Sequence, residues 1–289
     1  MHLCKSSNDN PDYYCFDNLC AFPGLVHGVF TRDGGSSDLD FRSLNVGLSV
    51  GDDKENVCLN REKIARSMGI AEHHAIYLNQ VHGKEFLVLK DQILPELAGG
   101  DISVGHMLKE EPLEKEGMVK KNGVLPKVPL CARDADGIVT NIKGILAVMQ
   151  VADCQAVILY DPVRQVVANI HSGWRGSLLD IVGRGVDIMT EDFGSDPVHI
   201  HAGIGPSLGP CCAEFKNYRD EIPEQFWKYK TGQYHFDFWQ TSCDQLAEKG
   251  ICPENIEVSR ICTPCTSHIF YSYRKENITG RFAVAAGLI

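Results

Sequence analysis

Hydrophobic and polar positions along this chain alternate between short apolar runs and longer amphipathic segments, a pattern typical of a mixed α/β protein. Apolar runs bounded by turn residues predict strands at 75–81, 86–89, 145–151, 156–160, 165–170, 198–204, 256–261 and 282–289. Apolar residues at helical spacing predict helices between Asp53 and Gly69, at 177–193 and at 239–249. We therefore expect an α/β fold, or more broadly α+β, with one large core.

Residues 92–130 break this pattern, because charged runs and turn residues replace the apolar periodicity. This segment is too long for an ordinary connection within a compact domain. We predict that it is an insertion or flap exposed to solvent. Residues 1–20 are predicted to be an N-terminal extension, and residues 21–289 to form a single domain that carries the insertion.

Composition and charge limit the kinds of partner. The chain is 44% hydrophobic and 23% charged, which is ordinary for a soluble globular protein. A net charge of -10 argues against binding nucleic acid or an anionic membrane, since both need a clustered basic face. No stretch approaches the roughly 18 apolar residues of a membrane span, and the N-terminus lacks the features of a secretion signal. We expect a cytoplasmic protein that does not bind membranes.

Three side chains that commonly bind zinc lie where apolar runs meet turns: His82, Cys154 and His171. Imidazole and thiolate are preferred ligands of Zn²⁺, and three protein ligands leave one tetrahedral position open for water or substrate. Considered alone, a histidine at such a position is more simply a hydrogen-bonded polar residue at the end of a strand, and the cysteine is more simply a small buried hydrophobic residue. Their spacing matches no local zinc motif, so the sequence leaves both interpretations open.

Two further interpretations of these residues come from other classes of protein. Cys154 and His171 could form the nucleophile and base of a cysteine hydrolase, because an imidazolium stabilises a thiolate. Alternatively, the chain could be a non-enzymatic module in which zinc contributes only folding energy. A fourth protein ligand, from His27 or from the segment around Cys262, would favour that module.

Anion binding is predicted at two glycine-containing turns. The segment from His171 to Gly176 joins a strand to a helix, so free backbone N–H groups and the positive end of the helix dipole lie beside the candidate metal ligand. Arg175 in this segment could contact phosphate or carboxylate. Arg32, in the turn at 31–37, is a second candidate. Either arginine could instead be an ordinary surface residue.

Most of the twelve cysteines are expected to be reduced, since they are too dilute for a disulfide scaffold. Cys262-x-x-Cys265-x-x-His268 resembles half of a zinc knuckle, but the sequence offers no matching second half. Cys211 and Cys212 are chain neighbours that cannot readily bridge each other. We expect those two to act as small buried hydrophobic residues.

An ordered set of motifs resembles the laccase-domain family, also called multicopper polyphenol oxidase or YfiH-like proteins. The motifs, spread over residues 27–289, are Thr31-Arg32-x-Gly34-Gly35, Leu44-Asn45-x-Gly47, Gly51-Asp52-Asp53, Asn60-Arg61, Asn79-Gln80-Val81-His82-Gly83, Ala135-Asp136-Gly137, Ala152-Asp153-Cys154, His171-x-Gly173-Trp174-Arg175-Gly176, Gly203-Ile204-Gly205-Pro206, Tyr271-x-Tyr273-Arg274 and Thr279-Gly280-Arg281. The insertion and the N-terminal extension depart from the shorter bacterial pattern.

The resemblance implies a fold, a cofactor and an activity. It implies a four-layer α/β/β/α sandwich with mixed sheets, and Zn²⁺ bound by the residues matching His82, Cys154 and His171. It also implies phosphorolysis of adenosine, inosine, guanosine and methylthioadenosine to free base and ribose 1-phosphate, with adenosine deamination as a further activity. The partners are then purine nucleosides and phosphate.

Specific roles follow for several side chains. We expect Cys154 and Arg175 to act in catalysis, and Arg32, Asn45, Gln80 and Arg175 to bind substrate or phosphate. Copper is the alternative metal, because two histidines and a cysteine also suit a blue-copper site. A multicopper oxidase also needs several His-x-His pairs, and the chain has only His199-x-His201. We therefore rank copper-dependent phenol oxidation below nucleoside chemistry.

Overall fold

The computed structural model of the chain describes residues 1–6, 10–90 and 130–289. Thirteen strands in this part of the chain form two sheets of seven and six strands. Their bounds are β1 His2–Cys4, β2 Tyr13–Cys15, β3 Leu25–Phe30, β4 Ala75–Asn79, β5 Phe86–Leu89, β6 Leu130–Asp134, β7 Gly137–Thr140, β8 Leu146–Val151, β9 Gln155–Asp161, β10 Val166–Ser172, β11 His201–Ile204, β12 Ile256–Val258 and β13 Phe282–Leu288.

Both sheets mix parallel and antiparallel pairs. The first has the strand order β1-β2-β3-β13-β8-β4-β6, antiparallel from β1 to β8 and parallel across β8, β4 and β6. The second has the order β12-β11-β9-β10-β7-β5, with parallel pairs at its two edges and antiparallel pairs in its centre. Parallel neighbours need long crossover connections, which accounts for the helices between them.

The described part of the chain has seven α-helices, and the three longest cover the outer faces of the two sheets. Their bounds are α1 Asp17–Cys20, α2 Lys54–Ser67, α3 Trp174–Leu178, α4 Ile181–Phe193, α5 Tyr218–Glu221, α6 Phe238–Glu248 and α7 Tyr273–Glu276. One apolar cluster fills the space between the sheets, a second packs α4 and α6 on the second sheet, and a third packs α2 on the first sheet. This arrangement confirms the predicted α/β/β/α four-layer sandwich.

The predicted helix after Asp53 is confirmed, and the reason is local. The Asp53 carboxylate accepts hydrogen bonds from the N–H groups of Glu55 and Asn56, which caps the first turn of α2. The apolar residues Ile64 and Ala65 are buried on the side that faces the sheet. Gly69, with φ +69°, follows the end of the helix and terminates it.

Two predicted elements differ in detail from the structure. The helix predicted at 177–193 is split into α3 and α4, because Asp180 adopts a left-handed conformation (φ 54°) and caps α4 by accepting from the Gly183 N–H. The strand predicted at 198–204 begins only at His201, because Pro197 starts a single 3₁₀ turn before it. Apolar periodicity does not detect either local break.

Of the predicted insertion at 92–130, only Leu130 lies within the described residues, and it begins β6. Residues of the predicted N-terminal extension form β1 and β2, the outer strands of the first sheet, and the short helix α1. The division of the chain near residue 20 stays a prediction. Within the described ranges, no helix is both long and apolar enough to cross a lipid bilayer.

Candidate active site

The three predicted metal ligands lie together. The ligand atoms of His82, Cys154 and His171 all lie within 4.8 Å of one another. Cys154 Sγ is 3.7 Å from His82 Nε2, and the two imidazole rings meet edge to face with centroids 4.9 Å apart. Three side chains that are distant in sequence therefore share one centre.

Strand ends from both sheets bring these ligands together. His82 follows β4 and Cys154 follows β8, both in the first sheet. His171 is the penultimate residue of β10 in the second sheet. The ends of strands in stacked sheets meet at one edge of the sandwich, so the ligands converge although no short motif connects them.

The buried carboxylate of Asp136 organises two of the three ligands. Its Oδ1 accepts hydrogen bonds from His171 Nδ1 at 2.7 Å and from the backbone N–H of His82 at 2.9 Å. Its Oδ2 accepts from the Gly83 N–H at 2.7 Å. A carboxylate bonded to Nδ1 fixes the orientation of the imidazole and leaves Nε2 available to a metal. Asp136 therefore positions His171 and holds the loop that carries His82.

Cys154 is presented by a constrained turn. The preceding residue, Asp153, has φ 87°, and its carboxylate accepts from the hydroxyls of Thr263 and Ser272 and from the Arg274 N–H. These three bonds, 2.6 to 2.7 Å long, support an uncommon backbone conformation for a non-glycine residue. The segment 263–274 therefore sets the position of Cys154, although it contributes no ligand itself.

Gly173 is required by the close approach of the ligands. A Cβ atom at this position would lie 2.9 Å from Cδ2 of His82 and 3.0 Å from Sγ of Cys154. Neither neighbour could move away without disturbing the centre. A side chain at position 173 would therefore push these two ligands apart.

The electrostatics favour a thiolate beside a charged imidazole. Burial alone would raise the pKa of Cys154, but the charge of His171 and hydrogen bonds from both histidines lower that pKa to about 6. Burial would lower the pKa of His171, yet the Cys154 thiolate and Asp136 raise it to about 9. A thiolate is the form of cysteine that binds metals and attacks electrophiles.

The centre lies in the wall of a cavity of about 900 Å³. This volume falls in the range of pockets that bind small molecules. Aromatic side chains line part of the cavity, including Trp174, Phe215 and Phe238, and polar side chains line another part, including Gln80 and Gln150. Such a cavity can receive a planar ligand with polar substituents.

Residues 26–289 match the family model described as multi-copper polyphenol oxidoreductase laccase. The chain belongs to this laccase family. Its members are thus similar to the chain over nearly its whole length, from β3 to the C-terminus. The resemblance inferred from the sequence motifs is confirmed.

Named relatives in the laccase family agree in length and fold. The chain is 28% identical over 276 residues to purine nucleoside phosphorylase YlmD of Geobacillus stearothermophilus, covering 92% of this chain and 91% of that protein. It is 30% identical over 266 residues to purine nucleoside phosphorylase ORF3 of Streptomyces griseus, covering 90% and 93%. The crystal structure of Bacillus licheniformis hypothetical protein YfiH superimposes with a TM-score of 0.77 at 28% identity, covering 98% of each chain.

The structure brings only one of the four predicted substrate or phosphate residues to the cavity. Gln80 lines it and exchanges hydrogen bonds with the backbone N–H and carbonyl of Gln150. Asn45 is fully buried and binds backbone groups of Gly47 and Arg281, so its role here is to hold a turn. The substrate roles of Gln80 and Asn45 stay predictions.

The two arginines chosen from the sequence lie elsewhere. Arg32 forms an ion pair with Glu276 at 2.8 Å and lies over the Tyr271 ring. Arg175 is exposed and stacks on Trp174, with Cζ 4.4 Å from the ring centroid. Neither is among the described residues that line the cavity. Helix α3 begins at Trp174, so Arg175 lies within the first turn of the helix and not in the loop that precedes it.

Sequence reasoning missed the arginines that do line the cavity: Arg61, Arg274 and Arg281. Arg61 is only 2% exposed, and its Nη1 has no hydrogen-bond partner among the described residues. Burial lowers the pKa of Arg281, and the charges of Cys154 and Asp153 oppose this shift. The motifs that contain Arg61 and Arg281 are recognisable in the sequence. However, neither the place of Arg61 in a predicted helix nor that of Arg281 near the C-terminus indicates that these side chains face a cavity.

Proposed function

We propose that this chain is a zinc-dependent purine nucleoside phosphorylase, converting adenosine, inosine, guanosine and methylthioadenosine to free base and ribose 1-phosphate. A second proposed activity is deamination of adenosine. One observation carries the proposal: two histidines and a cysteine converge in the wall of a cavity that also contains arginines and aromatic rings. The names of the similar proteins, at 27–30% identity, support the same activity.

The three-residue centre fits a zinc ion. Zinc bonds of about 2.0–2.1 Å to nitrogen and about 2.3 Å to sulfur place tetrahedral N and S ligands roughly 3.6 Å apart, and the separation of His82 Nε2 and Cys154 Sγ is 3.7 Å. His82, Cys154 and His171 would hold the ion. When bound, it would supply Lewis-acid polarisation of a purine substituent or of water. Asp136 would keep His171 in the ligating orientation.

Different residues in the cavity would bind the two substrates, phosphate and the purine nucleoside. In phosphorolysis a phosphate oxygen forms a bond to C1′ of the ribose while the bond from C1′ to the purine nitrogen breaks, and its electron pair leaves with the base. Phosphate must therefore be held in line with the departing base. Arg61 and Arg281 are suited to this task, because both line the cavity and neither forms an ion pair among the described residues.

The aromatic part of the cavity suits the purine. Trp174 and Phe238 line the same cavity as the arginines, and Phe215 packs edge to face on both, with centroids 5.6 Å and 5.5 Å away. Rings held in this way bind a planar base at little entropic cost. Closure of the cavity around the nucleoside would exclude water and so favour phosphate over water as the nucleophile.

Copper-dependent phenol oxidation is a second candidate, favoured by the family description and by the two-histidine, one-cysteine ligand set. Methionine, the usual weak axial ligand of a blue-copper site, does not occur among the described residues that line the cavity. His199 and His201 belong to none of the potential metal groups in the described part of the chain. We therefore propose oxidation only as a secondary activity of copper-loaded protein.

Cysteine-hydrolase chemistry is a third candidate, favoured by the thiolate character of Cys154 and its contact with His82. The nucleophile and the metal ligand are the same sulfur. Hydrolysis and metal binding are therefore mutually exclusive. Zinc added to metal-free protein should abolish any esterase activity if this reaction occurs, and the same addition should restore phosphorolysis.

Incubation of the purified protein with inosine, with and without phosphate, tests the main proposal. We expect hypoxanthine and an equal amount of ribose 1-phosphate only when phosphate is present. Adenosine should give adenine by the same route and, separately, ammonia if deamination also occurs. Hypoxanthine release that does not depend on phosphate, or no release from any purine nucleoside, would refute phosphorolysis.

Metal dependence is tested with chelated protein and with Cys154→Ser. Both should lose phosphorolysis, and zinc should restore only the chelated wild type. Cys58→Ser is a matched control, since Cys58 lies on α2 and belongs to none of the potential metal groups in the described residues. It should retain full activity. Equal activity in Cys154→Ser and Cys58→Ser would contradict the proposed centre.

A further inference from the structure

A second group of potential metal ligands lies outside the centre described above. The sulfur atoms of Cys211, Cys212, Cys262 and Cys265 all lie within 4.8 Å of one another. The Cys262-x-x-Cys265 turn resembles half of a zinc knuckle, and the structure supplies the second half that the sequence did not reveal. We call these four residues the cysteine cluster.

Two turns that are held together form the cysteine cluster. The Ser207 N–H donates to the Ile261 carbonyl at 3.1 Å, and the Thr263 N–H donates to the Ser207 carbonyl at 3.0 Å. This parallel bridge fixes the turn at 209–212 against the turn at 262–265. The sulfur atoms therefore meet because of the backbone, and they do not depend on flexible surface segments.

Gly209 allows the two turns to come this close. A Cβ atom there would lie 2.7 Å from the Trp239 ring and 3.0 Å from Cβ of Cys262. Trp239 is itself held by a hydrogen bond from its ring N–H to the Ser207 hydroxyl. The backbone at residue 209 is thus packed against one member of the cysteine cluster, and any larger residue would separate the turns.

The distances between sulfur atoms match a tetrahedral thiolate site. Four zinc–sulfur bonds of about 2.3 Å place the sulfurs about 3.8 Å apart. Cys265 Sγ is 3.7 Å from Cys211 Sγ and 3.6 Å from Cys212 Sγ. A disulfide would require about 2.05 Å, and all four cysteines are free thiols in the structure.

The expected role as a buried hydrophobic residue is wrong for Cys211, whereas Cys212 packs on the apolar cluster of the second sheet. Cys211 and Cys265 are exposed, Cys212 is half-buried and only Cys262 is buried. Two of the four thiols are exposed although they lie close to the other two sulfurs, and packing explains this poorly because it places cysteine in apolar interiors. A shared soft metal ion explains both their exposure and their mutual orientation.

We propose that the cysteine cluster is a second metal site, a closed four-thiolate centre that binds zinc or a similarly thiophilic divalent cation and has a structural role. Its two turns also support the candidate active site. The Leu208 N–H donates to the Asp153 carbonyl at 2.8 Å, and the Thr263 hydroxyl donates to the Asp153 carboxylate at 2.6 Å. A metal in the cysteine cluster would therefore fix the turn that presents Cys154, without itself contacting substrate.

Metal stoichiometry tests this second site independently of any activity. Protein produced with added zinc should contain two zinc ions per chain, Cys154→Ser should contain one, and Cys262→Ser/Cys265→Ser should contain one. Cobalt substituted into Cys154→Ser should show strong thiolate-to-cobalt absorption, which should be absent from the triple variant Cys154→Ser/Cys262→Ser/Cys265→Ser. Cys58→Ser/Cys252→Ser is the matched control and should keep two ions.

Native protein gives a second measurement if the double variant does not fold. A thiol-specific mercurial titrated into native protein should release one zinc ion as it modifies the exposed cysteines Cys211 and Cys265. Zinc content that is equal in native protein and the double variant would overturn the site. So would a disulfide between two of these four cysteines in freshly purified native protein, located by peptide mapping, because an oxidised pair could not bind the ion.

Discussion

The candidate active site and the cysteine cluster are adjacent in the fold but differ in design. The first has three ligands of two kinds, a buried carboxylate behind one histidine, and a cavity of about 900 Å³ in front. The second has four identical ligands on two turns and is not among the groups that line that cavity. Three ligands leave a coordination position for chemistry, whereas four thiolates leave none. Ligand number and surroundings thus separate the proposed catalytic site from the proposed structural one.

Loss of a ligand from the three-residue centre should have the largest effect on activity. Cys154→Ser should lower kcat/KM for inosine phosphorolysis by more than about 100-fold, since even outer partners of metal ligands contribute about 10–100-fold. Steady-state kinetics with saturating phosphate measure the loss. Cys265→Ser, in the cysteine cluster, is the comparison and should lose far less. If both variants lost activity equally, the two sites would not differ as argued.

Asp136 should have the next largest effect, because it acts on two ligands at once. Asp136→Asn removes the negative charge and replaces one acceptor oxygen by an NH₂ group, so the bonds from His171 and His82 to Oδ1 and from Gly83 to Oδ2 cannot all be kept. We expect zinc affinity at this centre to fall by about 10–100-fold. Competition with a chelator measures the affinity directly. Asp134→Asn, which alters the hydrogen bond between Asp134 and exposed Asn79, is the control and should leave zinc affinity unchanged.

The comparison of the two sites also shows what the sequence could reveal. His82, Cys154 and His171 were predictable chiefly because the flanking motifs match a family, since each residue alone could equally be a polar strand end or a small buried thiol. Asp136 and Asp153 were recognised within motifs but received no role, since one acidic residue next to a strand carries no distinguishing signal. Their function depends on hydrogen bonds between segments far apart in the chain.

The cysteine cluster and the cavity arginines were harder to predict for a similar reason. Cys211 and Cys212 complete the cluster only because Ser207 pairs with the segment at 261–263, a contact between residues more than fifty positions apart. Arg61 lies on α2 and Arg281 just before β13, and periodicity does not show which way an arginine points. The α/β class, by contrast, follows from apolar runs, and the four-layer arrangement was implied by the resemblance to the family.

The KM for phosphate should distinguish the arginines that line the cavity from those that the sequence predicted to bind phosphate. Arg281→Gln should raise the KM for phosphate by about 10-fold or more, since a hydrogen bond to a charged group contributes roughly 1.5–3 kcal/mol. The matched variant Arg175→Gln should change that KM by less than about twofold, because Arg175 is exposed and stacks on Trp174. Zinc content should stay the same in both. The opposite ranking would restore Arg175 as the phosphate ligand and remove Arg281 from that role.

The smallest effect on kcat, and the clearest effect on stability, should come from the cysteine cluster. Cys262→Ser/Cys265→Ser removes two thiolates that would join the turns at 209–212 and 262–265, so the free energy of unfolding should fall by about 2 kcal/mol or more. For a chain of this size the melting temperature should then drop by roughly 4–8 °C.

At temperatures below its melting temperature, Cys262→Ser/Cys265→Ser should have a kcat within about threefold of the wild-type value. The reason is that Asp153 retains its hydrogen bonds from Ser272 and Arg274. Calorimetry of zinc-loaded and chelated samples measures the stability. Chelation should lower the melting temperature of Cys154→Ser, which retains the four-thiolate site, more than that of the double variant, which retains only the open centre. Equal shifts in the two variants would mean that the cysteine cluster contributes no metal-dependent stability, and the contrast between a structural and a catalytic centre would fail.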